Sequence, residues 1–582
     1  MKKSFIKVIS LVFVILLLIC SPLPAEKSAQ KANLKGLKES PQNPNWAKYH
    51  STNEAYALLE SWAALFPNLT NLYTIGHTLK GTPLEVLEIT NKQTGSASEK
   101  PAYYYDGNIH SGELTGAEVV LHFAWYILFN YGKDPHITQL VDTRTFYIRP
   151  KFNPDGADIA LNTPFNLRST PRPYDEDGDG LLDEDPPNDL NEDGSITLMR
   201  VKNPHGLWKI SSQDSRIMAR RDIGDQHGDF YDLYSEGIDD DGDGYFNEDG
   251  IGGIDMNRNF SRNWGMEFEQ GGAGPYPLSE PETRVTIEFF HSHRNITGVF
   301  HGHTSGGFLY RLPSTTSWDT FPLSDQRLIL ELSDKYHSTT GQPVRPSYSD
   351  PRQHRHGTLV SWAYWDFGVI GFVPEFWGGF GRDYNNDGLI TEAERLLWNQ
   401  KELGGEGFVN WTPYNHPQLG AVEIGGWKTK FVRQNPPPKF LKNEIEKYVN
   451  WMLWLAEISP YVVIKDISAS EVNSDGLIKV RVEIANVGYL STNLTQRAID
   501  AKIAVPVRVT VDLQNAELIS GEKLADLGHL KGLGDTLERV GNIGSRRLLE
   551  YIIRLTGPKP LFMITVRSEK GGTTRREITL SR

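Results

Sequence analysis

Two kinds of hydrophobic spacing divide this chain, and the switch between them limits what it can fold into. Up to about residue 457, helical and strand-like spacings alternate; beyond about 460 only strand-like spacing remains. Apolar positions from Asn53 to Leu65 recur at the helical period, and Leu114–Phe129 reads as a long, mostly apolar helix that must be buried on a sheet. Leu72–Thr78 and Leu84–Thr90 read as strands around the turn Lys80-Gly81-Thr82, followed by strands at Pro101–Tyr105 and Thr145–Ile148. Lys447–Glu457 reads as a closing helix. This interleaving predicts an α/β domain over residues 46–457, a mixed sheet flanked by helices on both faces. Val462–Ile467, Ile478–Ala485, Val505–Leu513 and Leu561–Val566 alternate with Gly and Asn between them, which predicts a β-sandwich accessory domain over residues 460–582. No catalytic cluster is visible in that second part.

The length of 582 residues is itself too great for one core. Residues 1–25 carry Lys2, Lys3 and Lys7, an apolar run to Cys20, then Pro22, Pro24 and Ala25, the pattern of a secretory signal peptide. A secreted or extracytoplasmic protein is expected, with no integral membrane span once the signal is removed. Cys20 is the only cysteine, so no disulfide framework is available; lipid attachment there is the alternative to simple cleavage, although Ile19 stands where lipoprotein signals carry a small residue. Residues 26–45 are polar and read as a linker. The net charge of −13 argues against nucleic acid as a partner.

The chemistry begins at His110-Ser111-Gly112-Glu113, between a strand and a helix, where an imidazole and a carboxylate three residues apart can turn toward one ion. Asp106-Gly107-Asn108-Ile109-His110-Ser111-Gly112-Glu113 resembles the first zinc motif of the M14 metallocarboxypeptidases. Further landmarks of that family occur in order: Asn153-Pro154-Asp155-Gly156, Asp255-Met256-Asn257-Arg258-Asn259-Phe260, Ser279-Glu280-Pro281-Glu282, His303-Thr304-Ser305-Gly306-Gly307, and Glu375 in Phe372-Val373-Pro374-Glu375-Phe376-Trp377. The resemblance spans roughly residues 45 to 455.

The resemblance implies hydrolysis of the C-terminal peptide bond of peptides or proteins by metal-activated water, with Zn(2+) held by His110, Glu113 and one histidine of His301-Gly302-His303. Residues two apart on a strand share a face, so spacing leaves His301 and His303 both open. His303 is preferred because Arg311 then falls where the family's next strand carries Arg or Tyr. Asp255 is implied as the acceptor for the free N–H of His110. Glu375 is implied as the general base, Asn257 and Arg258 as the binders of the substrate α-carboxylate, and Arg200 as the oxyanion donor, with Arg220 and Arg221 as substitutes. Tyr348 stands near the place of the family's mobile tyrosine, where counting back from Trp362 reaches Gln353. Gly112 replaces an arginine of some digestive relatives. Val360 and Ser361 are expected at the specificity pocket, and their lack of charge points to a neutral or apolar C-terminal residue.

Three stretches, 175–197, 239–249 and 383–394, are rich in Asp, Asn and Gly and read as surface insertions. The last matches a Ca(2+) loop, with Asp383, Asn385, Asp387, Leu389, Thr391 and Glu394 as ligands and Gly388 at the turn. Asp175/Asp177/Asp179, Asp189/Asn191/Asp193 and Asp239/Asp241/Asp243 repeat its first half. Of the remaining histidines, His122 is expected packed, His291 and His293 solvated, and His354 and His356 close to the cleft. Two rival functions stay open: a zinc amidase of cell-wall peptides or amino-acid conjugates, and a non-enzymatic zinc-containing binding module.

Overall fold

The computed structural model describes residues 39–175, 180–247, 250–348, 355–473, 475–534 and 543–580. The proposed signal peptide, Cys20, most of the linker, Asp177, Asp179, Gln353 and His354 lie outside the described residues.

A mixed eight-stranded sheet forms the first part. In space the strands run Thr70–His77, Pro83–Ile89, Thr145–Arg149, Ala102–Gly107, Ile296–Thr304, Ile370–Phe376, Phe308–Arg311 and Val344–Pro346. The four central strands, from Thr145–Arg149 to Ile370–Phe376, are mutually parallel, and antiparallel pairs flank them. Every residue of Ala102–Gly107 and Ile296–Thr304 is buried, which requires helices on both faces. The helix Leu114–Asn130 packs with its first eleven residues wholly buried, and Tyr105, Phe123, Phe146 and Phe300 join it to the sheet.

This helix approaches the sheet at backbone contact. A Cβ on Gly107 would lie 2.3 Å from the Gly116 carbonyl, and one on Gly116 would lie 2.6 Å from the Gly302 carbonyl oxygen. Gly107 and Gly116 therefore allow the helix N-terminus to sit directly on the ends of two strands.

Residues 460 onward form two four-stranded antiparallel sheets around a separate core that includes Val480, Val482, Val509, Ile553 and Phe562. This is the expected sandwich. It is fastened to the first part: buried Lys570 donates to the carbonyls of Arg294 and Ile296, at 2.6 and 2.8 Å.

Two features depart from the sequence reading. Residues 39–45 are held rather than loose, since the indoles of Trp62 and Trp125 donate to the carbonyls of Pro41 and Gln42. A second, six-stranded sheet joins Leu198–Lys202, Trp208–Ile210, Met218–Arg220 and Phe230–Ser235 to the hairpin Phe408–His416 and Gly420–Trp427. Its core is small, built on Met199, Val422 and Ile424. The closing helix stands as Val449–Glu457, preceded by a separate helix, Pro438–Glu446.

Gly116→Val should test the glycine contact. Overpacking against a fixed carbonyl costs on the order of 2 kcal/mol or more. A lower midpoint of chemical denaturation in zinc-free protein is the expected result.

Candidate active site

The central parallel strands deliver their functional groups from the carboxyl ends, where open α/β sheets present their crevice. After Gly107 the chain turns through Asn108, at φ 66°, whose side-chain amide donates to the carbonyls of His110 and Ser111 at 2.9 and 3.0 Å. From the other side, the N–H groups of Ser111 and Gly112 donate to the carbonyls of Arg168 and Leu167. Asn153 caps the helix Pro154–Asn162 through Gly156 N–H and also donates to Ser111 Oγ at 2.9 Å. The Asn-Pro-Asp-Gly turn is thus a brace for the His110 loop, and a Cβ on Gly156 would lie 2.0 Å from Ser111 Oγ. Gly112 has no space for a side chain, because a Cβ would lie 2.7 Å from Asn166 Oδ1 and 2.9 Å from the Leu167 carbonyl oxygen. An arginine there could not be housed.

The loop brings His110 Nδ1 to 2.7 Å from Glu113 Oε1, while His303 Nδ1 lies 2.8 Å from Glu113 Oε2. The two Nδ1 atoms are 3.1 Å apart. His301 is engaged elsewhere: its Nδ1 meets Asp106 Oδ1 at 2.5 Å, and the two residues are register partners on adjacent parallel strands. Among the described residues, two groups of three carboxylate or imidazole side chains converge within 4.8 Å: buried His110/Glu113/His303, and Asp239/Asp241/Asp243 on the surface.

The first group fits zinc. Bonds of about 2.0–2.1 Å at tetrahedral angles place neighbouring donor atoms about 3.3 Å apart, close to the separations here. Burial lowers His303 to about 3 despite Glu113, so its imidazole stays neutral and ready to ligate. Burial alone would raise Glu113, but His110 and His303 outweigh it and hold the carboxyl well below its ordinary range. Asp255 behaves alike: burial opposes ionisation, and Arg168 and His110 overcome it. Its Oδ1 lies 3.1 Å from His110 Nε2.

Glu375 is the register partner of His303 on the neighbouring parallel strand. Burial, then the charge of Glu113, pushes its carboxyl well above the usual range, against the pull of Arg168, Arg355 and Arg258. Asn257 and Arg258 follow Asp255 in a short turn; Asn257 Oδ1 accepts from Leu359 N–H at 3.1 Å, and Arg258 Nη1 donates to the Asn257 carbonyl at 2.8 Å. His110, Glu113, His303, Glu375, Asn257, Arg258 and Val360 line one cavity of about 70 Å³.

Arg200 is not among them, and this corrects the sequence reading. It belongs to the six-stranded sheet, where its Nε donates to Glu423 at 2.8 Å and its guanidinium stacks on Trp411. Arg220 and Arg221 are no nearer, stacked on Trp208 and Phe230. The cation beside the ligands is Arg168, bonded through Nε and Nη2 to Asp255 Oδ2, at 3.0 and 2.9 Å, with Nη1 3.4 Å from Glu113. Arg355 also lines the cavity. Neither was found from sequence, because each is a lone cation in a loop without periodicity. Tyr348 is not in the lining, though Ser347 is; its N–H donates to the Pro313 carbonyl. His293 is packed rather than solvated, stacked on Phe289 at 3.9 Å. His122 is packed between Trp46 and Trp125.

In the loop 383–394, Asp383 accepts the N–H groups of Asn386 and Gly388, and Asp387 accepts that of Leu389. Glu394 instead forms a capping box with Thr391 at the start of the helix Glu392–Leu403, so its carboxylate does not converge with the two aspartates.

Fold and site together describe an α/β protein in which two histidines and a glutamate converge in a geometry that fits zinc. A family model described as zinc carboxypeptidase, Peptidase_M14, matches residues 55–397, more than half of the chain, and the chain belongs to that family. A domain of unknown function, DUF8731, matches residues 461–579. Carboxypeptidase D of Mus musculus is 32% identical over 116 residues, 20% of this chain and 8% of that protein. Carboxypeptidase M of Mus musculus is 35% identical over 109 residues, 19% of this chain and 25% of that protein. The match thus spans a quarter or less of either relative. A crystal structure of thrombin activatable fibrinolysis inhibitor aligns over 72% of this chain and 76% of that one, at 16% identity and a TM-score of 0.45.

Asp255→Ala should weaken zinc retention about 10- to 100-fold, the range for loss of a partner that orients a ligating histidine. Competition with a chromogenic chelator measures it.

Proposed function

We propose that this protein is a zinc-dependent carboxypeptidase that removes the C-terminal residue of peptides or proteins. The observation that most supports this is the pairing of His303 and Glu375 in register, beside three donor atoms that converge as zinc ligands should. His110, Glu113 and His303 would hold the ion. Zinc, when bound, would polarise the scissile carbonyl and acidify the attacking water.

Glu375 takes the proton from that water and returns it to the leaving amine. Its environment suits both steps, since burial and Glu113 favour the protonated form while three arginines keep ionisation accessible. Arg258 binds the substrate α-carboxylate through a two-bond fork, and Asn257 adds an amide donor. A cation placed to meet a free carboxylate makes this an exopeptidase site. Arg168, half exposed at 51% of its side chain, replaces Arg200 as the donor to the developing oxyanion.

The N-terminal segment supports export, so the substrates are extracytoplasmic. Among the described residues no helix is long and apolar enough to cross a membrane. Calcium is the second metal of this reading. In four loops the N–H of a glycine is accepted by the aspartate five residues earlier: Asp175 and Gly180, Asp189 and Gly194, Asp239 and Gly244, Asp383 and Gly388. Ions there would pin long loops, with Glu394 leaving its helix cap to complete the loop 383–394.

Glu375→Gln should lower kcat/KM on an amino-blocked dipeptide about 10²- to 10⁴-fold with zinc content unchanged. Equal behaviour of wild type and variant would leave a binding module. In the wild type kcat/KM should fall as pH drops through the Glu375 pKa, because the protonated carboxyl accepts nothing. That limb should lie above the ordinary carboxylate range and be absent from the variant. Calcium added to chelator-treated, zinc-loaded protein should raise the melting temperature, and Asp383→Ala should reduce the rise; an unchanged melting temperature removes calcium from the reading.

A further inference from the structure

Resting on the carboxypeptidase reading, we propose that the site selects acidic C-terminal residues, and that Arg355 is the residue that selects them.

The register of the sheet separates the reacting end of the cavity from its floor. Phe308 pairs with Glu375, and Tyr310 pairs with Val373, two residues further along each strand. Two residues of strand rise about 6.5–7 Å, so the Tyr310–Val373 pair lies one side chain's depth beyond Glu375. Arg355 stands over this floor. Its guanidinium carbon is 4.8 Å from the centre of the Tyr310 ring, and its Nη2 donates to the Tyr310 hydroxyl at 3.3 Å. Its Nη1 donates to the Ser347 carbonyl. Ser314 and Thr358 line the same cavity. A residue bound by its α-carboxylate on Arg258 would extend its side chain toward one guanidinium and these hydroxyl groups.

Arg355 has charge to offer. Among the described residues no carboxylate lies within the 4.0 Å of an ion pair with it, whereas Arg168 and Arg258 both reach Asp255. The cleft holds three arginines against the carboxylates of Glu113, Asp255 and Glu375, and a divalent ion would leave it two positive charges in excess. The α-carboxylate and an acidic side chain supply two negative charges together. The uncharged Val360 and Ser361 suggest a neutral or apolar preference, but Ser361 is not in the lining and Val360 shares it with the cationic Arg355.

The test compares amino-blocked peptides that differ only in the last residue, Glu, Gln, Leu or Lys. Zinc-loaded wild type should show a Glu-to-Gln ratio of kcat/KM of at least ~10, as expected when a desolvated cation gains a partner. Arg355→Gln should bring that ratio to about one, and Arg355→Lys should keep part of it. The ratio is independent of how much enzyme is folded. Blocked glutamate should likewise bind Glu375→Gln protein more tightly than blocked glutamine, and Arg355→Gln in that background should erase the difference. Preference for Leu or Lys, or a ratio unaltered by Arg355→Gln, overturns the specificity while leaving the carboxypeptidase reading intact. Absence of hydrolysis of all four peptides, with Glu375→Gln indistinguishable from wild type, overturns both.

Discussion

The contact of bare backbone at Gly107, Gly116 and Gly302 is the constraint on which the site depends. Glu113 opens the helix that carries Gly116, and His303 follows Gly302. A side chain at Gly107 or Gly116 would lift the helix off the sheet and draw Glu113 away from His303. The same approach leaves no choice of register, because a helix resting on carbonyl oxygens cannot slide by a residue without meeting Cβ atoms. The Asn108 and Asn153 amides then fix the intervening loop from within and from below. The donor atoms are therefore held apart by the scaffold before any ion enters, which keeps the cost of reorganisation low.

Electrostatics sets the second condition. Glu113, Asp255 and Glu375 lie close together, and burial penalises the charge of each. The protein resolves this unequally. Glu113 and Asp255 face imidazole or guanidinium and stay ionised, while Glu375 faces Glu113 and is driven toward its neutral form. A divalent ion beside Glu113 would weaken that push and bring the proton affinity of Glu375 toward the range in which it can both accept and release. The proposed ligand Glu113 and the proposed base Glu375 differ in environment, not in residue type.

How much of this could be read in the sequence follows from where each part is encoded. His110, Glu113, Asn257, Arg258, His303 and Glu375 sit at the ends of strands or turns whose neighbours are buried and patterned, so local spacing places them and the order of motifs joins them. The central strands and the helix after Glu113 were legible for the same reason. Arg168 and Arg355 were not, since a loop gives a cation no pattern. Arg200 misled because its strand resembles a motif only when the acidic insertions are skipped in aligning it. The six-stranded sheet was invisible for a topological reason: its strands Trp208–Ile210 and Met218–Arg220 have three residues each, and its hairpin lies far along the chain at Phe408–Trp427. A choice between His301 and His303 needed the third dimension as well, namely the engagement of His301 by Asp106.

The sandwich raises a different question, why a domain without a catalytic cluster stays attached. Its contacts with the first part fall largely on unsatisfied backbone. Lys570 meets the carbonyls of Arg294 and Ile296, Thr495 that of Gly368 at 3.0 Å, and Arg497 that of Trp365 at 3.2 and 3.0 Å. In the reverse direction, buried Asp325 accepts the N–H groups of Gln496 and Arg497. Helix ends leave such groups without partners, and burying them unpaired is costly. Trp365 and Gly368 belong to and terminate the segment that follows the helix Leu359–Trp362, the element that carries Val360 into the cavity wall. Removing the sandwich would expose these carbonyls at the far end of that element, so the second domain is part of what holds the pocket in shape and not a freely jointed appendage.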